Sequence, residues 1–157
     1  DRLIIFGSTG SMHDNLLPGS IVIPDDYFSP WDIPTLHDND IGHTPPSIDA
    51  ALREELAQII PERKTGTYFQ TRGPRFETQA EIAFFAKKTD VVGMTAASEL
   101  TLANELDIPA AALCTVDNYA NGIGGSSAPD YDEIVSISKQ NGDRITAIIT
   151  KIVEKLA

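Results

Sequence analysis

Five short apolar runs, separated by stretches with helical periodicity, constrain the fold of this chain more than any other feature. The runs span residues 3–6, 21–23, 67–71, 91–94 and 110–116. Each is too short for a buried helix, so each predicts a buried strand. Strands that alternate with helices predict an α/β fold around a largely buried sheet.

The stretches between and after these strands predict helices. Their expected starts are Ser47, Thr78, the region of Leu100, and Tyr131. Pro61 should end the first helix. Thr78 and Glu81 match the S/T-x-x-E capping box, so the second helix is expected over about 79–88. Asn141-Gly142 predicts a break or kink in the last helical stretch.

The size and charge of the chain limit its partners. Its length predicts a single domain over 1–157. With 12 basic and 23 acidic residues, its formal net charge is −11. This charge argues against binding to nucleic acid or to an anionic membrane, because both need clustered Lys and Arg. A bound anion would need a site built locally, against the overall charge.

Cysteine usage and hydropathy favour a cytoplasmic protein. Cys114 is the single cysteine, which excludes an intrachain disulfide and a Cys-based zinc site. Its apolar neighbours in AALCTV predict a position in the core. No apolar run approaches the ~18 residues that a membrane-spanning helix needs.

Small or polar residues follow four of the predicted strands. They occupy 7–11, 73–77, 94–95 and 117–119. Ligands bind beyond the carboxyl ends of the strands in open α/β sheets, so these residues are candidates for a site. The GSTGS segment at 7–11 suits either a plain turn or a nest of backbone N–H groups for an anion. The pattern leaves both interpretations open.

The GPRFETQAEI segment at 73–82 raises a sharper question. If Thr78 caps the helix, Phe76 and Glu77 lie in the loop before it. A hydrophobic residue there can staple the first helical turn, and an acid can interact with the helix dipole. Alternatively, both side chains point from the end of the strand towards a ligand. The local pattern does not decide between these two interpretations.

Four segments, in this order and spacing, resemble the purine nucleoside phosphorylase and methylthioadenosine phosphorylase family. They are GSMHDNLLPGSIVIPD, GPRFETQAEI, TDVVGMTAASELTLANEL and TVDNYANGI. The resemblance implies the family's central, mixed, twisted sheet with flanking helices, and a homotrimer. It also implies cleavage of a purine nucleoside by inorganic phosphate, which is then a co-substrate. No metal or organic cofactor is implied.

By resemblance, three residues bind the base. Phe76 packs against the purine, Glu77 accepts a hydrogen bond from N1–H, and Asn118 donates to N7 and O6. Negative charge develops on the departing purine, so Asn118 is expected to act in catalysis. A carboxylate pairs with N1–H and not with a bare acceptor, which favours hypoxanthine or guanine. The expected substrates are 6-oxopurine nucleosides such as inosine, guanosine or 5′-methylthioinosine.

The resemblance also implies residues at the sugar and at the phosphate. Met94 lines the ribose, and His43 from a neighbouring subunit reaches the 5′ end of the sugar. Thr95 offers its hydroxyl to the phosphate. Ser8 and Thr9 are the other phosphate ligands that the chain retains.

Simpler roles stay open for several of these residues. Thr95 can be an N-cap, Met94 core filling, Asn118 an Asx-turn residue and His43 a surface residue. Arg75 and Glu99 also match family positions, and they can instead form an ion pair or a cap.

Parts of the family pattern are missing. The family carries a glycine-rich loop and an Arg-His-Gly segment upstream, both on the phosphate, and it has Thr or Asn at the position of Gly7. Asp1 rather than Met opens the chain, and we expect that 1–157 corresponds to the C-terminal two-thirds of the family fold. If the chain is whole, the alternative is a non-catalytic nucleoside-binding or structural homologue. A methylthioadenosine phosphorylase and a nucleosidase that uses water are further alternatives.

Overall fold

The computed structural model describes residues 1–125 and 131–156. Its elements are, in chain order, β1 (Leu3–Ser11), β2 (Ile21–Phe28), α1 (Ala50–Ile59), β3 (Lys64–Gln70), α2 (Gln79–Phe85), β4 (Val91–Gly93), α3 (Ala96–Glu105), β5 (Ala110–Tyr119), α4 (Tyr131–Gln140) and α5 (Gly142–Leu156). Every strand and helix expected from the pattern is present. The α/β prediction is confirmed.

The five strands form one mixed sheet that closes on itself. Their order around the sheet is β1-β4-β3-β2-β5. The β1–β5, β2–β3 and β3–β4 pairs are parallel, and the β1–β4 and β2–β5 pairs are antiparallel. The mixed sheet agrees with the prediction. The strand-end argument assumed an open sheet. That assumption is wrong, because each of the five strands pairs with a neighbour on both sides.

Two strands are longer than their apolar runs. β1 continues through 7–11, and β5 continues through 117–119. Gly7 pairs with Cys114 in the β1–β5 ladder, so the GSTGS segment is neither the turn nor the anion nest that the pattern suggested. The β1–β5 register shifts after Thr9, and beyond this shift Gly10 and Ser11 pair with β4 as well as with β5. Both extensions carry small or polar residues, which hide a strand from hydrophobic periodicity.

β2 also extends further than expected, through Pro24 to Phe28. Its register with β3 shifts between Pro24 and Asp26, and proline is tolerated in a strand at such irregularities. Residues 29–49, which follow β2, carry no helix or strand.

Two clusters of the apolar core pack on opposite faces of β5. Ala112 and Cys114 pack in the apolar cluster that contains Leu100 of α3. Ala111 and Leu113 belong instead to the cluster formed with α1 and α5. Successive residues of a strand point to opposite faces, so β5 connects the two clusters. Cys114 is fully buried, which confirms its core position. This burial raises the pKa of its thiol to about 12.

The helix starts are set by local hydrogen bonds. Asp49, and not Ser47, caps α1: its carboxylate accepts from the N–H of Leu52 at 2.7 Å. The Ser47 hydroxyl instead donates to the amide oxygen of Asn104. The capping box of α2 is confirmed, with Thr78 as N-cap, although α2 ends at Phe85, before the expected 88.

The C-terminal helices follow the predicted pattern. Residue 141 separates α4 from α5, in agreement with the expected break at Asn141-Gly142. Within the described ranges, no helix has both the length and the apolar character that crossing a membrane requires.

Candidate functional site

A cleft of about 280 Å³ lies beside the C-terminal parts of β1 and β5. Its lining includes Ser8, Thr9, Phe76, Glu77, Met94, Thr95 and Asn118. These are all the expected site residues except His43. They come from four separate segments of the chain, which the closed sheet brings to one place.

The carboxylate of Glu77 is buried and hydrogen-bonded at the cleft. It is 8% exposed, and its Oε1 accepts the hydroxyl hydrogen of buried Thr71 at 2.6 Å. Its backbone carbonyl accepts from the side-chain amide of Asn121 at 3.1 Å. An ionised carboxylate is an acceptor only, so its other oxygen offers an acceptor to a ligand.

The loop before α2 is held by an ion pair. Arg75 donates to both carboxylate oxygens of Glu81, at 2.7 and 2.9 Å, and to the carbonyl of Phe76 at 3.0 Å. The Arg75 hydrogen bonds, followed by that from the N–H of Thr78, lower the pKa of Glu81 to about 2. Arg75 therefore forms an ion pair, one of the two roles left open for it. Thr78 and Glu81 serve the helix, which leaves Phe76 and Glu77 to the cleft.

Asn118 lies in β5 and is not a turn residue. Its side-chain Nδ2 donates to the carbonyl of Tyr119 at 2.7 Å. One amide hydrogen is thereby used, and the second hydrogen and Oδ1 remain for a ligand. Gly10 lies against this amide, since a Cβ there would be 3.2 Å from Nδ2.

Met94 both packs and lines the cleft. It follows β4, is half-buried, and lies against Gly73, where a Cβ would be 2.5 Å from its sulfur. Gly73 has a φ of +60°, a conformation that favours glycine. The GPRFET loop can therefore approach Met94 closely, and Met94 packs against this loop and lines the cleft rather than filling one of the buried core clusters.

Thr95 occupies the N-cap position of α3, but its side chain accepts no hydrogen bond from the helix. The residue is exposed at the cleft. The simple capping role that the sequence left open for its hydroxyl is therefore wrong. Glu99 lies in the first turn of the same helix and is exposed.

The segment expected to hold phosphate is less favourable to an anion than predicted. The Thr9 hydroxyl donates to the carbonyl of Thr115 at 2.8 Å, and Thr9 is 2% exposed. Its hydrogen is thus used within the sheet, and the phosphate role expected for Thr9 stays a prediction that this bond does not favour. Ser8 remains exposed at the cleft. Among the residues described along the lining there is no Lys, Arg or His.

Asp117 is a buried acid in the candidate segment 117–119 for which the sequence predicted no role. It is 1% exposed, and Thr115 donates to its Oδ2 at 3.1 Å. Burial raises the pKa of this carboxyl, and the hydroxyls of Ser8 and Thr115 partly oppose that shift. Its position in the polar extension of β5, directly before Asn118, is a signal that could have identified it.

The cleft also has apolar side chains that were not expected at a site, and the largest come from β1 and α4. Phe6 of β1 is 40% exposed, and Tyr131 and Ile134 reach the cleft from the first turn of α4. An aromatic residue directly before the GSTGS segment was visible in the sequence as a possible signal for Phe6. The approach of α4 depends on tertiary packing, and the sequence pattern does not encode it.

His43 lies away from this cleft, beside a second cleft with Tyr27 and Thr101. It does not reach the site of its own chain, and its role from a neighbouring subunit stays a prediction. Within residues 1–125 and 131–156, no group of three His, Cys, Asp or Glu residues is arranged to hold a metal ion.

Comparison with known proteins assigns the family. The sequence profile described as "Phosphorylase superfamily" matches residues 1–154. The chain belongs to this superfamily. It is 41% identical over 160 residues to the probable 6-oxopurine nucleoside phosphorylase of Archaeoglobus fulgidus, covering 98% of this chain and 65% of that protein. It is 33% identical to the probable S-methyl-5′-thioinosine phosphorylase of Methanocaldococcus jannaschii, covering 95% of this chain and 62% of that protein.

A solved structure confirms the phosphorylase fold. The chain resembles Schistosoma purine nucleoside phosphorylase in complex with hypoxanthine, with a TM-score of 0.85 and 24% identity. The match covers 99% of this chain and 62% of that structure. This chain thus spans less than two thirds of the length of each of these superfamily members.

Proposed function

We propose that this chain carries the nucleoside-binding cleft of a 6-oxopurine nucleoside phosphorylase. The substrates would be inosine, guanosine or 5′-methylthioinosine, and the products the free base and ribose 1-phosphate or its methylthio analogue. The observation that carries the proposal is the buried Glu77 carboxylate, held by Thr71 and lining one cleft with Asn118. The names of the relatives from Archaeoglobus fulgidus and Methanocaldococcus jannaschii support the same substrate class.

The chemistry of the base explains the preference. A 6-oxopurine presents a donor at N1–H and an acceptor at O6, which match the acceptor of Glu77 and the donor of Asn118. Adenine presents the opposite pair. A mismatched base would leave buried polar groups unpaired, at a cost of ~1–3 kcal/mol each.

In the proposed reaction, a phosphate oxygen forms a bond to C1′ of the sugar while the bond from C1′ to N9 breaks. The bonding electron pair leaves with the purine. Donation by Asn118 of its remaining amide hydrogen, shared between N7 and O6, stabilises this developing charge more in the transition state than in the ground state. Phe76 and Met94 would hold the base and the sugar in place. Phosphate is a co-substrate, and the step needs no metal or organic cofactor.

Calorimetric titration with hypoxanthine and adenine, followed by an inosine assay at varied phosphate, tests the proposal. Hypoxanthine should bind at least tenfold more tightly than adenine, since adenine leaves two polar groups unpaired at ~1–3 kcal/mol each. Equal binding of both bases, or of neither, would contradict the assignment.

One observation favours a second candidate, a nucleoside-binding protein without phosphorolysis. The described lining of the cleft carries no basic side chain, and the hydroxyl of Thr9 is already used. Losing even one donor to developing charge costs on the order of 10²–10³ in rate. Tight hypoxanthine binding without phosphate-dependent cleavage of inosine by the chain would favour this second function.

We also propose a cytoplasmic homotrimer in which His43 reaches a neighbouring cleft. Its support is the family resemblance together with the position of His43 outside the cleft of its own chain. Light scattering at micromolar concentration should report three times the mass of the chain. A monomer would remove both the trimer and the role of His43.

A further inference from the structure

The N-terminus of α3 is capped from the neighbouring strand β3. The N–H groups of Thr95 and Ala96 both donate to the hydroxyl oxygen of Tyr68, at 3.2 and 3.3 Å. The N–H of Ser98 donates to Oε1 of Gln70 at 3.0 Å, and Gln70 returns a bond to the Ser98 hydroxyl at 2.6 Å. Tyr68 and Gln70 are two residues apart in β3 and therefore point to the same face.

This arrangement replaces the usual N-cap. The first N–H groups of a helix have no partner within the helix, and a Thr at the N-cap normally accepts one of them with its own oxygen. Here two side chains of β3 supply the acceptors. The Thr95 side chain accepts no bond from α3, and the residue is exposed at the cleft.

Tyr68 is held where it can do this. It is 1% exposed, and a Cβ on Gly93 would collide with its hydroxyl, so glycine leaves room for the ring. Burial raises the pKa of Tyr68 to about 12, and the hydrogen bonds from the N–H groups of Thr95 and Ala96, with a weaker one to the Thr95 side chain, partly oppose that shift. At neutral pH the phenol is therefore protonated, and its oxygen is a neutral acceptor for both N–H groups.

We infer that Tyr68 is a positioning residue: with Gln70 it caps α3 in place of Thr95, and so keeps the Thr95 hydroxyl available to a ligand in the cleft. The inference rests on the proposed function for the identity of that ligand, which is inorganic phosphate. Thr9 supports the inference: its hydroxyl already donates within the sheet, so the hydroxyl of Thr95 matters more to a ligand. Without these caps from β3, the free N–H groups of α3 would instead form hydrogen bonds to the Thr95 oxygen.

A stability cycle with Thr95→Ala and Tyr68→Phe tests the capping exchange without any ligand. Thr95→Ala alone should leave the Tm nearly unchanged, because the hydroxyl caps nothing. In a Tyr68→Phe background, Thr95 becomes the cap, and the same substitution should lower the Tm by about 2–4 °C. A loss of that size from Thr95→Ala in the otherwise unchanged chain would overturn the inference, even if Tyr68→Phe fails to fold.

Tyr27→Phe is the matched control. Tyr27 also contacts α3 through its hydroxyl, at the Thr101 hydroxyl 3.3 Å away, but on the side of the second cleft. In this background Thr95→Ala should again have no effect on the Tm. An equal loss of Tm in both tyrosine backgrounds would show general loosening of α3 and would overturn the inference.

Inosine phosphorolysis at varied phosphate tests the consequence for the ligand. Tyr68→Phe should raise the KM for phosphate about tenfold, the loss expected for one hydrogen bond to a charged group, with the KM for inosine nearly unchanged. Tyr27→Phe should change neither KM. Equal increases in both KM values for Tyr68→Phe would overturn the positioning role. If the unchanged chain does not cleave inosine, the proposed function fails separately, and the stability cycle alone decides the inference.

Discussion

Thr71 donates its hydroxyl hydrogen to Oε1 of Glu77 across 2.6 Å, and both side chains are buried. This bond fixes the orientation of the carboxylate before any ligand arrives. Preorganisation of this kind reduces the entropy that binding would otherwise cost. The cleft therefore offers its acceptor in one defined place, and the following substitutions depend on that property.

Thr71→Val should weaken hypoxanthine binding while leaving the fold intact. Valine has nearly the same shape but lacks the hydroxyl, and a net hydrogen bond contributes about 1 kcal/mol, so we expect about a fivefold loss of affinity by calorimetry. Thr65→Val is the matched control, because Thr65 also donates to a carboxylate, that of Asp25, but on the exposed part of β3. Equal losses in both variants would show that the Thr71 bond has no special role.

Glu77→Gln should reduce hypoxanthine affinity more strongly. The substitution keeps the size of the side chain and removes its charge, and a hydrogen bond to a charged group contributes about 1.5–3 kcal/mol, or roughly a 10–100-fold change. Glu54→Gln, on the exposed face of α1, provides the comparison. Unchanged affinity in the Glu77 variant would return this residue to a purely structural role.

Asn118→Asp should narrow or invert the preference for inosine over adenosine. An aspartate offers an acceptor to the 6-amino group of adenine, whereas the asparagine offers a donor to O6. The measurement is kcat/KM or affinity for the two nucleosides, in the variant and in the unchanged chain. Asn15→Asp makes the same change at an exposed position and should alter neither value. Equal use of both nucleosides by the unchanged chain would contradict the substrate assignment.

Glu81→Gln should reduce the loss of thermal stability that the protein shows as the pH falls below about 4.5. The pKa of Glu81 is lowered from 4.5 to about 2 in the folded state by the hydrogen bonds from Arg75 and then from the N–H of Thr78. A depressed folded pKa contributes stability that is fully present above pH 4.5 and is lost as pH falls towards 2. Thermal unfolding between pH 2 and 6 should therefore depend less on pH in the variant. Arg75→Gln removes the partner and should act in the same direction.

The fold was largely predictable because its buried strands and helices have different periods. The errors fall where a side chain faces a cleft or a distant partner. Asp117 and Asn118 belong to β5, but their polar side chains end the apolar run at 116. Asp49 and Ser47 are both good N-cap residues, and tertiary contact with Asn104 takes the Ser47 hydroxyl.

The grouping of the candidate site was predictable in outline, because the four segments that follow the predicted strands are those that meet in the cleft. The family resemblance added the expected role of each residue, which hydrophobic periodicity alone does not give. The use of the individual hydroxyls was not predictable either. Thr9 and Thr95 look alike in sequence, yet one is bonded within the sheet and the other is exposed at the cleft.

The closed sheet also limits the order in which parts of the chain can fold. β1 pairs with β5 along most of its length, from Leu3 opposite Ala110 to Ser11 opposite Tyr119. Contacts between such distant residues form late, since the chain must close a long loop first. During synthesis, β1 can complete this pairing only after about residue 119 has left the ribosome. Until then the apolar side chains of β1 lack the neighbours that β5 gives them in the folded sheet.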